Sequence, residues 1–144
     1  MKVFLGSDHG GFELKRRVIE YLKSQGYDTE DLGCVDTGSC DYPVYGRKVA
    51  KMVVKNLGSR GIIICGSGIG ISIAANKVKG ARCVMANSIE LAHLGRSHNG
   101  ANILAMGERT KFIDAPIKIV EEFLKVEEDK AERHKKRREQ LDKA

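Results

Sequence analysis

Residues 62–70, Ile62-Ile63-Ile64-Cys65-Gly66-Ser67-Gly68-Ile69-Gly70, run three isoleucines into a thiol and then into glycines spaced two apart. A short β-branched run of this kind reads as a strand covered on both faces, the place of a central strand in a parallel sheet. Outward from it, strand-like and helix-like periodicities alternate, joined by short segments bearing Gly or Asp, which is the pattern of βαβ units. Strands are predicted over residues 2–7, 27–32, 61–65, 82–86 and 102–106. Helices are predicted over 11–25, 44–57, 69–77, 88–96 and 111–125, with a further, highly charged helical segment after Asp129.

The second strand, Tyr27-Asp28-Thr29-Glu30-Asp31-Leu32, is too polar to be covered twice and is expected at an edge. With right-handed crossovers this gives an α/β fold whose five-stranded parallel sheet has the order 2-1-3-4-5. Ligands in such sheets bind beyond the carboxyl ends of the strands, where the winding reverses. The loops expected to meet there are Ser7-Asp8-His9-Gly10-Gly11 and Gly66-Ser67-Gly68-Ile69-Gly70.

A chain of 144 residues fits one domain, taken as residues 1–144, and such a domain buries roughly 70% of its unfolded surface. No apolar run approaches the ~20 residues that cross a bilayer, so no membrane role is expected and the compartment is expected to be the cytoplasm. Cys34, Cys40, Cys65 and Cys83 lack the spacing of a zinc site or a redox pair and read as reduced thiols. The net charge of +6 lies largely in Arg133-His134-Lys135-Lys136-Arg137-Arg138, while the remainder is close to balanced. Such a run is a solvated helix face, a nucleic-acid contact, or a trap for a small anion.

Glycines at 66, 68 and 70 let several N–H groups converge at a helix start, which makes an anion site; the plain alternative is a tight strand-to-helix turn. A dinucleotide fingerprint would need glycine at position 71, which is Ile71, and no Gly-Lys-Ser/Thr follows to make a P-loop. Cys65 directly precedes the helix start, where amides and the helix dipole favour a thiolate able to act as base or nucleophile; the alternative is an inert buried thiol. Asp8-His9 ends the first strand, and His98-Asn99 precedes the fifth, so both histidines are expected on the same sheet edge. Asp8 and His9 could form half a metal site, whereas His93 and His98, about 140° apart round a helix, would not share a metal. Arg133 and Arg137, four apart, share a helical face and suit the oxygens of a phosphate, with Arg109 as a third donor.

These residues resemble the ribose-5-phosphate isomerase B family, which includes the galactose-6-phosphate isomerase subunits. The resemblance runs through SDHGGFELK at 7–15, DYP at 41–43, IICGSGIGISIAANK at 63–77, GAR at 80–82, RSHNGANIL at 96–104, GER at 107–109 and RHKKR at 133–137. It implies a Rossmann-like three-layer α/β/α sandwich, a homodimer or homotetramer with active sites at the subunit interface, and an aldose–ketose isomerisation of a phosphorylated sugar through an enediolate, without cofactor or metal. It implies that Cys65 is the base, with Ser67 beside it, and that the amides of Gly66, Ser67, Gly68, Ile69 and Gly70 hold the enediolate oxygen. It further implies that His98 opens the sugar ring, that Asp8, His9 and Asn99 bind substrate, and that Arg109, Arg133 and Arg137 grip the phosphate. Some members carry a Glu base just after the Gly loop; here that position is Ile71 and the thiol is present. Arg133 and Arg137 favour ribose 5-phosphate over galactose 6-phosphate, with allose 6-phosphate as a further six-carbon alternative. A basic nucleic-acid-binding module lacks any RRM, KH or helix-turn-helix signature and has no aromatics beside its basic residues.

Overall fold

Ten of the expected elements form in the expected order, and the charged segment forms an eleventh. In the computed structural model, which describes residues 1–143, these are β1 (Lys2–Ser7), α1 (Phe12–Ser24), β2 (Asp28–Asp31), α2 (Tyr42–Lys55), β3 (Arg60–Cys65), α3 (Ile69–Asn76), β4 (Cys83–Met85), α4 (Ile89–Ser97), β5 (Ile103–Gly107), α5 (Pro116–Lys125) and α6 (Glu132–Asp142). Residue 144, the end of the expected domain, lies outside the described residues. The predicted helix over 111–125 starts only at Pro116, because the segment before it is spent on α4: Ile113 N–H donates to Asn87 O, and the Asp114 carboxylate accepts from Ile89 N–H. Proline at the first helical turn then begins α5 at no cost in hydrogen bonds.

The sheet is five-stranded and parallel, with β2 at one edge as expected, but its order is β2-β1-β3-β5-β4. The predicted 2-1-3-4-5 is therefore corrected to 2-1-3-5-4. The reason is burial. All five residues of β5 are buried, whereas β4 is three residues long and half covered, with Met85 exposed. The fully apolar strand takes the place that is covered on both faces, and the short one takes the edge.

Handedness then decides the layers. Right-handed crossovers from β1 to β2 and from β4 back to β5 run in the same direction, so α1 and α4 share one face of the sheet, joined by α5. Their core holds Leu14, Val18, Leu22, Ala92, Val120 and Phe123 against Ile62, Ile64 and Leu104. The steps from β2 to β3 and from β3 to β4 run the other way, so α2 and α3 cover the opposite face, with Val49, Val53, Ile71 and Ala75 against Phe4, Ile63 and Cys65. Alternation along β3 sends Ile62 and Ile64 to one core, Ile63 and Cys65 to the other.

β3 therefore lies between two strands whose following helices go to the other face. The Gly loop after β3 is flanked on one side by the loop after β1 and on the other by the loop after β5. In the predicted order, the second neighbour would have been the loop after β4.

Candidate active site

Cys65, the last residue of β3, is 4% exposed, and its Sγ accepts a hydrogen bond from the amide of Gly68 at 3.1 Å. That amide reaches back because Gly68 has φ 78°, a left-handed conformation in which a Cβ would stand 2.8 Å from the carbonyl carbon of Met106. The following amide, Ile69 N–H, donates to Ser67 Oγ at 3.2 Å. The amides of Gly66 and Ser67 make no hydrogen bond to another described residue. Of the five amides expected to cradle an anion, two thus serve the loop itself, and that of Gly70 lies in the first turn of α3. Those of Gly66 and Ser67 stay free beside the thiol.

The flanking loops close on this one at near backbone contact. A Cβ at Gly10 would lie 3.2 Å from the nitrogen of Gly66, and one at Gly11 would collide with Ile64 O. Asp8, 7% exposed, accepts from Gly11 N–H at 3.1 Å and so caps the turn that leads into α1. His9 Nδ1 accepts from the amide of Cys40 at 3.3 Å, which leaves its remaining proton on Nε2. These contacts take up Asp8 Oδ1 and His9 Nδ1, and the second of them ties the first loop to segment 33–41. That segment is anchored from below by Lys15, 1% exposed, whose ammonium donates to Asp31 at 2.8 Å and to Cys34 O at 2.5 Å. Tyr42, quoted in the Asp-Tyr-Pro stretch but given no role there, lays its ring against Gly70 so closely that a Cβ at that glycine would collide with it.

From the other side, Glu108 N–H donates to Cys65 O at 3.0 Å and Arg109 N–H to Gly66 O at 2.9 Å. The Arg109 side chain crosses Gly66, with Cδ 3.6 Å from where a Cβ would stand. Arg109 thus lies at the cradle only because β5 adjoins β3. The Glu108 carboxylate accepts from Leu14 N–H in the first turn of α1, where the helix dipole favours it. Burial, with the Cys34 thiol close by, pushes Cys40 up to about 11, and burial also pushes Cys83 up; both stay protonated.

His98 and Asn99 stand elsewhere. α4 runs antiparallel to the strands, so its C-cap His98 lies at the amino end of β5, separated from Cys65 by the length of a six-residue strand, roughly 20 Å. The expectation that His9 and His98 share a sheet edge is corrected: one follows its strand, the other precedes its strand. The His98 ring stacks on that of His134, with centroids 4.1 Å apart and planes inclined by 26°. His134 Nδ1 bonds Asp129 at 3.0 Å, and Asp129 also accepts from Ala131 N–H at 2.7 Å. The Ala131 amide first, and His134 second, hold the Asp129 carboxyl below its usual range. Ligand atoms of His98, Asp129 and His134 lie within 4.8 Å of one another. The Asp129 carboxylate already accepts a hydrogen bond from His134 Nδ1–H, and the His98 ring lies stacked on that of His134.

The basic run is an ordered part of this end. His134 and Arg138 are buried against it, while Arg133 and Arg137 share the exposed face, as the spacing predicted. Arg138 donates to His98 O at 3.1 Å and to Asp129 O at 3.0 Å, and pairs with Glu128 at 3.4 Å. A cleft of about 850 Å³ at this end is lined by Arg60, Arg82, Arg96 and Arg138, with Glu128 and Asp142 among its carboxylates. Arg96 pairs with Glu128 at 3.2 Å and Arg82 with Asp142 at 2.7 Å. Among the described residues, no helix is long and apolar enough to cross a membrane.

A profile of the family described as Ribose/Galactose Isomerase matches residues 3–141. Ribose-5-phosphate isomerase B of Mycobacterium tuberculosis is 43% identical over 138 residues, covering 95% of this chain and 85% of that protein. A solved structure of the Clostridium thermocellum ribose-5-phosphate isomerase B superposes with a TM-score of 0.93 at 46% identity, covering 99% of this chain and 96% of the other. That of Mycoplasma genitalium ribose-5-phosphate isomerase B, with bound ribulose-5-phosphate, superposes with a TM-score of 0.92 at 38% identity, covering 99% and 94%. With one end of its sheet shaped by glycine loops around a thiol and residues 3–141 matched by the family profile, the chain belongs to the ribose/galactose isomerase family.

Proposed function

We propose that the protein interconverts ribose 5-phosphate and ribulose 5-phosphate, a reaction of pentose phosphate metabolism, with the Cys65 thiolate as base. The observation that carries this reading is the Cys65 sulfur, held by the Gly68 amide at 3.1 Å, beside the unpaired amides of Gly66 and Ser67. An N–H bonded to sulfur stabilises the thiolate. The thiolate takes the proton from C2 of the open-chain aldose, and charge develops on the oxygen that becomes the enediolate. Free amides aimed at that oxygen contribute on the order of 3 kcal/mol each. Returning the proton to C1, with transfer of the C2 hydroxyl proton to O1, completes the ketose and regenerates the thiolate. Ser67, beside the base, hydrogen-bonds the sugar hydroxyls, and Asp8, His9 and Asn99 hold the substrate.

His98 opens the furanose ring as general acid or base, and Arg109, Arg133 and Arg137 bind the phosphate. Because Cys65 and His98 occupy opposite ends of the sheet in one protomer, the reading requires a second copy. We infer a homodimer in which one protomer's His98, Asn99, Arg133 and Arg137 meet its partner's Cys65. The exposed Ile69 and Ile73 support this, since α3 carries apolar side chains on its outer face as well as its inner one, and Met85 on the edge strand β4 is exposed too. Five-carbon sugars are favoured over allose or galactose 6-phosphate by the named relatives. The reading takes residues 1–144 as one sugar-phosphate isomerase domain, needs neither cofactor nor metal, and suits the cytoplasm, where a catalytic thiol stays reduced.

Steady-state turnover of both pentose phosphates, with a chelator control, tests it. Cys65→Ala is expected to lower kcat by roughly a thousandfold or more in both directions. Wild-type turnover by that variant removes the proposed base, and loss of activity with chelator overturns the metal-free reading.

A further inference from the structure

His98 ends a helix, and nothing in α4 itself sets the orientation of its ring. What does set it is a chain of contacts made by residues to which neither the motifs nor the reading above assigns a role. The flat face of His134 lies on His98 at 4.1 Å. His134 is 7% exposed and turned so that its Nδ1 edge meets Asp129 at 3.0 Å, which leaves only its face for His98. Asp129 is itself fixed at three points: it accepts from Ala131 N–H at 2.7 Å, its own N–H donates to Ser97 O at 2.8 Å, and its carbonyl takes the Arg138 guanidinium at 3.0 Å. Two of these partners close the loop, since Ser97 adjoins His98 and Arg138 also donates to His98 O.

Resting on the reading of His98 as the group that opens the sugar ring, we propose that His134, oriented by Asp129, is a positioning residue that holds the His98 imidazole edge-on to the furanose. Ring opening delivers a proton to the ring oxygen and takes one from the anomeric hydroxyl. A ring free to rotate about its two side-chain torsions meets both atoms in only a fraction of its orientations. Docking of α6 does not need His134, because Arg138 binds His98 O, Asp129 O and Glu128 independently. The role is therefore separable from support of the fold.

The test uses the full chain and two substrates. Ribose 5-phosphate is mostly a closed ring in solution; ribulose 5-phosphate cannot close a furanose, because its O5 carries the phosphate. At saturating substrate, His134→Ala is expected to lower kcat with ribose 5-phosphate roughly tenfold to a hundredfold and kcat with ribulose 5-phosphate, whose aldose product can leave as the open chain, by less than about threefold; kcat/KM falls equally in both directions because its ratio is the equilibrium constant. His134→Phe, which keeps a flat ring against His98, is expected to restore most of the loss, and Asp129→Asn to fall between. Should His134→Ala fail to fold, the Phe and Asn variants decide through the same comparison of kcat values. Equal losses of kcat on both sugars mean that α6, with Arg133 and Arg137, has come loose, and they overturn the proposal; so does wild-type behaviour of His134→Ala. His98→Asn separates the two readings. If its loss is selective for the closed sugar while that of His134→Ala is not, the positioning role alone falls; if its own loss is equal on both sugars, ring opening by His98 falls and takes this inference with it.

Discussion

The two ends of the sheet are made of different material. At the carboxyl end, Cys65 sits among loops in backbone contact, where Gly10, Gly11, Gly66 and Gly68 permit approaches that any side chain would block. At the amino end, His98 is held by side chains: His134, Asp129, Arg138, and the ion pairs of Glu128 with Arg96 and Arg138. Backbone amides have their positions set by the chain itself, so an oxyanion cradle made from them needs no reorganisation. In the proposed reaction, the group that opens the ring must present one edge to a sugar that differs in shape before and after the step, and orientation by neighbouring side chains suits that task.

The contrast breaks most easily at Gly68. Gly68→Ala combines a left-handed backbone with a Cβ 2.8 Å from Met106, so the loop must shift and carry the amide away from the Cys65 sulfur. We expect kcat to fall roughly a hundredfold and stability by about 1–3 kcal/mol, read by turnover and thermal unfolding. An unchanged kcat would show that the cradle's backbone path is immaterial.

A smaller effect is expected on α6. Arg133 and Arg137 are exposed and make no ion pair among the described residues. Replacing either by Ala is expected to raise KM about tenfold with Tm unchanged, since a hydrogen bond to a charged group contributes ~1.5–3 kcal/mol. A fall in Tm with KM unchanged would make these arginines part of the fold instead of the site.

The smallest effect concerns pH. The Asp129 carboxyl is held below its ordinary value of 3.8, so its contribution to stability is fully present above about pH 4 and is lost as the pH falls through the lower, folded-state value. Acid unfolding followed by circular dichroism should therefore fall less steeply below pH ~4 for Asp129→Asn than for the parent. Identical slopes would mean that the carboxylate gains nothing from Ala131 and His134.

How much of this could be read in advance differs between the same two ends. The carboxyl end was largely legible, because a strand and the glycines after it are neighbours in the chain and their geometry is local. Tyr42 was the exception, since its approach to Gly70 is made across two helices. At the amino end, the helical face of Arg133 and Arg137 followed from their spacing, but the significance of His134 and Arg138, one position further round, did not, because both depend on what α6 packs against. The placement of His98 was available from chain order alone: a loop that precedes its strand lies at that strand's amino end.

The amino-acid sequence by itself determined the alternating elements, the polar edge strand, the two-faced burial of Ile62–Cys65 and the turn that gathers amides beside the thiol, since each depends on residues within a few positions of one another. Only the tertiary structure decided that β5, not β4, adjoins β3, which brings Arg109 across Gly66, and that His134 and Asp129 stand behind His98. Those outcomes come from competition among distant segments for the covered places in the sheet and against α4, where the longer apolar strand and the better-bonded side chains prevail.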